Sequence, residues 1–271
     1  MVARRGWVHL LVAVLVAVTS ACGGDDGDDG GDGAGAAEPE VLRILVTNDD
    51  GVGGAGIDAV VAGLETLPDV EVTVVAPAED RSGTSDSVTD PPPDGTDAAL
   101  VGGHEAVAVA GLPADSVNHA LDEVLTERPH VVVSGINLGQ NLGPVVFASG
   151  TVGAARTAAR RGIPALAVSQ GLADTIDYRP GVELTLDWVT EHRDDLVDGE
   201  VETDTIANLN VPSCPTGEVR GTVEVVSAAA DDVRSFDTVD CTSTATGPST
   251  DIDGFLIGYA TLAEVPLDAV A

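Results

Sequence analysis

The sequence predicts an α/β fold of three layers, a mostly parallel sheet covered on both faces by helices. Short apolar, β-branched runs such as Ile44-Leu45-Val46, Val72-Thr73-Val74-Val75 and Val131-Val132-Val133 alternate with segments of helical pattern, which is how a parallel sheet is written in sequence. The runs end abruptly in loops rich in Gly, Asn and Asp, as strands do at the ligand-binding edge of an open sheet. About 230 residues after the leader are enough for one substantial core.

The chain begins with Arg4 and Arg5, an apolar stretch from Leu10 to Val18 and then Thr19-Ser20-Ala21-Cys22. That order of charge, apolar run and small residues is an export signal. The apolar stretch is shorter than the ~20 residues of a membrane span. Residues 1–22 are therefore expected to be a signal peptide, with two outcomes at its end: a lipoprotein-type modification of Cys22, or ordinary cleavage after Ala21. Residues 23–40 are rich in Gly and Asp, lack an apolar period and are expected to form a disordered tether. One folded domain then occupies 41–271.

Within that domain, strands are expected near 41–48, 70–76, 105–110, 130–134, 164–169 and 204–210, and helices near 56–67, 114–127, 150–162 and 180–193. Two further strands, near 219–226 and 254–262, are expected to form a C-terminal β-hairpin extension. If Cys22 is lipidated, Cys214 and Cys241 remain as an even pair in an oxidising compartment. A disulfide between them would stabilise the fold by roughly 3 to 4 kcal/mol, the alternative being two unrelated thiols.

Composition narrows the partners. A formal charge of -33, from 45 acidic and 12 basic residues, sets the chain against nucleic acid polymers and anionic membrane surfaces. Membrane contact is expected only through a lipid anchor, and an anionic substrate must be small or metal-guided. Aromatic residues make up 3% of the chain, so base-stacking platforms are few.

The chemistry concentrates in three loops. Asn48-Asp49-Asp50-Gly51 follows the first strand. Adjacent carboxylates repel unless a positive charge lies between them, and the chain has no lysine; a hard divalent cation, Mg²⁺ or Mn²⁺, is the natural partner. A turn built on Asp-Gly is the plainer alternative. The second loop is Ala76-Pro77-Ala78-Glu79-Asp80-Arg81-Ser82-Gly83, and the third runs Ser134-Gly135-Ile136-Asn137-Leu138-Gly139-Gln140-Asn141-Leu142-Gly143 and on to Ala148-Ser149-Gly150-Thr151-Val152. Ser149 to Thr151 precede an alanine-rich helix, where free N–H groups and hydroxyls form an anion site or serve simply as an N-cap.

These three loops, in this order, resemble the SurE family of survival-protein nucleotidases. Gly111-Leu112-Pro113-Ala114-Asp115-Ser116-Val117, Asn208-Leu209-Asn210-Val211-Pro212 and Gly258-Tyr259 extend the resemblance over about 41–262. It implies a SurE-like, Rossmann-like fold and a metal-dependent phosphomonoesterase acting on nucleoside 5′-monophosphates, with 3′-monophosphates as a second class. It places one divalent metal ion on Asp49, Asp50, Ser82 and Asn137, makes Asp49 and Asp50 the catalytic acids, and gives the phosphate to Ser149, Gly150 and Thr151, with Asn141 as a further phosphate or water contact. Asn48 is expected to orient the aspartates. Relatives use the C-terminal extension for dimer contacts, so a homodimer or higher homo-oligomer is expected.

The chain departs from the family pattern at Pro144-Val145-Val146, where acidic residues are common, at Asp86, where asparagine is usual, and at Ala55, in place of a proline. An aspartyl-phosphate mechanism fits less well, because its two acids are usually one residue apart. His104, His119, His130 and His192 lie outside the matched loops and are expected to be structural or solvated. The competing class is a non-catalytic cell-surface protein that keeps the fold and binds a metal or ligand.

Overall fold

The computed structural model describes residues 40–229, 231, 232, 234 and 238–268. The expected signal peptide, Cys22 and all of the tether but Glu40 lie outside them. Among the described residues no helix is long and apolar enough to cross a membrane.

Among the described residues nine strands form one sheet: β1 (Leu42–Thr47), β2 (Val70–Pro77), β3 (Gly95–Ala99), β4 (Glu105–Val109), β5 (Val131–Leu138), β6 (Ala165–Gln170), β7 (Thr205–Val211), β8 (Thr222–Val226) and β9 (Ala260–Pro266). Their order is β3-β4-β2-β1-β5-β6-β7-β9-β8. The central strands from β4 through β7 are parallel, while β3 and β9 run antiparallel to β4 and β7. The mostly parallel α/β sheet expected from the sequence is thus present.

Helices α1 (Ala55–Leu64), α4 (Arg179–Glu191) and α5 (Arg193–Asp198) pack on one face, where Ile57, Val61, Trp188 and Leu196 meet Leu42, Ile44 and Val133. The other face carries α2 (Pro113–His119) and α3 (Gly150–Arg160), whose Val117, Val152, Ala155 and Ala158 meet Leu45, Val132 and Ala167. Burial on both sides explains why the central strands are apolar runs rather than alternating patterns. From β1 the chain first builds toward β2 and β4, then returns to β5 on the other side. That reversal opens a crevice at the carboxyl ends of β1 and β5.

Several expectations are corrected. The C-terminal segment is no β-hairpin: β8 pairs parallel with β9, and parallel neighbours need a crossover. The crossover contains α6 (Asp251–Leu256), over residues expected to begin a strand. Thr250 Oγ1 caps this helix by accepting from Asp253 N at 3.2 Å, a start signal hidden beside the short apolar run Phe255-Leu256-Ile257. The single helix expected over 114–127 is α2 followed by a π-helical turn, Ala120–Val124. Strand β3 escapes prediction because Gly-Thr-Asp-Ala-Ala has no apolar run; its partner β4 supplies the pattern. Cys214 and Cys241 are joined in a disulfide with Cα atoms 5.7 Å apart.

Candidate active site

Asp49 and Asp50 leave β1 at the crevice, on a loop braced by its own asparagine. Asn48 Nδ2 donates to Gly51 O at 2.9 Å, and Gly51 N donates to Asn48 Oδ1 at 3.1 Å. Gly51 has φ +86°, and a β-carbon there would lie 2.8 Å from Glu79 C, so only glycine lets the two loops touch. Asn48 therefore shapes the backbone that presents the acids.

The Asp49 carboxylate lies against the start of α3. Thr151 Oγ1 donates to Asp49 Oδ1 at 2.6 Å, and a β-carbon on Gly150 would come within 2.8 Å of Asp49 Cβ. Ser149, 5% exposed, caps the helix by accepting from Val152 N at 3.1 Å. Serine is thus the N-cap of the plainer reading, while its own hydroxyl proton remains available to an anion. The Thr151 hydroxyl proton is directed at Asp49.

Asp50 meets β5 instead, accepting from Leu138 N at 3.1 Å. Asn137, one residue before, donates Nδ2 to Gly139 O at 2.6 Å, a bond that uses its amide N–H and not its side-chain carbonyl oxygen. The second loop approaches from β2: Arg81 N donates to Asp49 O at 2.8 Å. Ser82 N and Oγ both donate to Asp80 Oδ1, at 2.8 and 2.7 Å. A hydroxyl that spends its proton on a carboxylate keeps its lone pairs for a cation.

The electrostatics follow from this crowding. Burial, and then the nearby Asp80 charge, pushes Asp49 above its ordinary value against the hydrogen bonds from Thr151. Burial pushes Asp50 up to about 6, with the Leu138 N–H opposing and the charges of Asp49 and Asp80 adding. Asp80 itself, exposed and bonded to Ser82, is held below the usual range. Burial first, and neighbouring carboxylates second, oppose ionisation of both acids, a cost that a hard cation would offset.

Asn141 belongs to a different network. Its N–H donates to Asn210 Oδ1 at 2.7 Å, its Nδ2 to Ser169 Oγ at 2.9 Å, and its carbonyl accepts from Asn208 and Asn210 at 2.9 and 3.1 Å. These contacts lock the third loop onto β6 and β7.

A family model described as Survival protein SurE matches residues 44–234. This chain belongs to the SurE family. The 5′-nucleotidase SurE of Laribacter hongkongensis (strain HLHK9) is 42% identical over 182 residues, 67% of this chain and 70% of that protein. The 5′-nucleotidase SurE of Brevibacillus brevis (strain 47 / JCM 6285 / NBRC 100599) is 38% identical over 187 residues, 67% of this chain and 71% of the relative. The crystal structure of the SurE protein from Aquifex aeolicus superposes with a TM-score of 0.68 at 29% identity, covering 84% of this chain and 94% of that one.

Against that SurE background the departures have local reasons. Asp86 pairs with Arg160 at 2.6 Å on α3. Pro144 opens a 3-10 turn, Gly143–Phe147, which buries Val146 in the α2–α3 core. Two residues escaped sequence reading. Asp80 stands in a matched loop but gains meaning only when that loop folds back over Asp49. Asp251, over a hundred residues away, accepts from Gly143 N at 2.8 Å and Ala228 N at 2.8 Å; nothing in the linear pattern couples it to the third loop.

Proposed function

We propose that this protein hydrolyses nucleoside 5′-monophosphates to nucleoside and phosphate, using one divalent metal ion. The observation that carries the reading is the pairing of Asp49 and Asp50 at the β1–β5 crevice, with Asp49 seated on the start of α3. Two curated relatives named 5′-nucleotidase SurE support the reaction class.

Mg²⁺ or Mn²⁺ would be held by the carboxylates of Asp49 and Asp50, Ser82 Oγ and Asn137 Oδ1, and would supply the charge that polarises a phosphoryl group and acidifies a water. The chain's own residues do the rest. The positive end of α3, with the Gly150 N–H and the Ser149 hydroxyl, takes the negative phosphate, and Gly150 lets Asp49 lie against that helix start. Thr151 fixes the rotamer of Asp49, and the Leu138 N–H fixes that of Asp50. Asn141 we assign to holding the third loop in shape. Hydrolysis adds a water oxygen to phosphorus and breaks the ester P–O bond, and the paired carboxylates orient that water for attack.

The purified chain should release phosphate from nucleoside monophosphates with Mg²⁺ or Mn²⁺ and not with chelator. Asp49→Asn should lower kcat by roughly a hundredfold or more, in line with loss of a group that stabilises the transition state. Hydrolysis that survives both chelator and Asp49→Asn would sink the metal reading.

The same proposal places the protein outside the cytoplasm, anchored by lipid at Cys22. The order of residues 1–22 and the Cys214–Cys241 disulfide support that address. A homodimer or higher assembly rests on the family resemblance.

A further inference from the structure

The acid pair has an apolar border that phosphate chemistry does not need. Most large hydrophobic side chains are buried, yet Leu138 and Leu172 are 47% and 63% exposed. Both stand at the carboxyl edge of the sheet, Leu138 as the last residue of β5 and Leu172 just beyond β6. Leu138 is tied to the site through its own N–H on Asp50. A β-carbon on the next residue, Gly139, would lie 3.7 Å from Leu172 Cδ2, and Leu172 N donates to Gln140 Oε1 at 3.2 Å. The leucine of the β6 loop is thus pinned onto the metal-site loop.

Exposed apolar patches rimmed by polar groups mark ligand surfaces. This one begins at Leu138, whose N–H bonds Asp50, and its apolar side chains suit a neutral group on a chain of net charge -33.

We propose that Leu138 and Leu172 form the leaving-group subsite, which receives the apolar face of the nucleobase while the phosphate lies at Asp49 and the start of α3. The inference rests on the phosphatase reading above and deepens it. A polar leaving group such as glycerol has no comparable face to cover the leucines, so the subsite should separate nucleotides from simple phosphate esters.

The test compares kcat/KM for AMP and for glycerol 2-phosphate, measured with Mg²⁺ or Mn²⁺ on the full chain, its Leu172→Ser variant and its Leu172→Phe variant. Wild type should favour AMP, Leu172→Ser should lower that preference about tenfold, mostly through KM, as expected for lost apolar contact, and Leu172→Phe should retain it. An unchanged ratio in Leu172→Ser, or no preference in wild type, overturns the subsite while leaving the phosphatase intact. A wild type inert toward both esters overturns the phosphatase reading and the subsite with it.

Discussion

Asp50 carries the conflict on which the site is built. Burial and two neighbouring carboxylates push its pKa up to about 6, above the ordinary 3.8, so the folded chain holds the proton more tightly than the unfolded one. Stability from this group is therefore fully present at low pH, declines as pH rises from about 4 toward 6, and stays reduced above that. In chelator, Asp50→Asn should melt higher than wild type at pH 7.5 and level with it at pH 4. With Mg²⁺ or Mn²⁺ the order at pH 7.5 should reverse, because the cation stabilises only the carboxylate pair. Thermal melts in the four conditions check this, and a variant that melts lower than wild type in chelator at pH 7.5 would refute it. The adjacent acids could be read directly from the chain, since two carboxylates after an apolar run admit few explanations. Asp80 could not, because its influence depends on a loop folding across from β2. The Thr151 hydroxyl, expected at a phosphate, is directed at Asp49 for a similar reason: a buried carboxylate and a helix start find each other as soon as Gly150 permits contact.

At the level of elements, the third loop is held by tethers far away in sequence. Asp251, fully buried at the head of α6, accepts from Gly143 N, Ala228 N and Ser227 Oγ. Removing that carboxylate strands several buried donors, each costing about 1 to 3 kcal/mol. Asp251→Ala should therefore destabilise the chain by roughly 3 kcal/mol or more in urea unfolding; a loss below about 1 kcal/mol would mean that the donors find water or other partners. Strands β1, β2, β4, β5, β6 and β7 and helices α1, α3 and α4 are legible because each satisfies its own periodicity. The β8–α6–β9 crossover was not, since its short apolar pieces fit strand and helix equally well and only pairing with β7 and the tether to Gly143 decide between them.

For the whole molecule, the proposed lipoprotein-type signal in residues 1–22, set against ordinary cleavage after Ala21, predicts that Cys22 carries lipid. Cells expressing the chain and fed labelled palmitate should label it, Cys22→Ser should remove the label, and a labelled Cys22→Ser protein would refute the assignment. The residues alone set the chemistry and its stations: buried parallel strands, acidic and amide donors at their ends, a serine-glycine-threonine helix start and an even pair of cysteines. Those follow from local composition, because a residue's side chain and the period of its neighbours are fixed before folding. The tertiary structure alone decided which stations meet. Asp49 reaches α3 and Asp50 reaches β5 because the strand order reverses at β1, with β2 on one side and the parallel β5 on the other, Asp80 and Asp251 enter through contacts made across the fold, and Leu172 comes to rest beside the loop that begins at Asn137. Contact between distant segments is settled by how the layers pack around one core, and no local period encodes it.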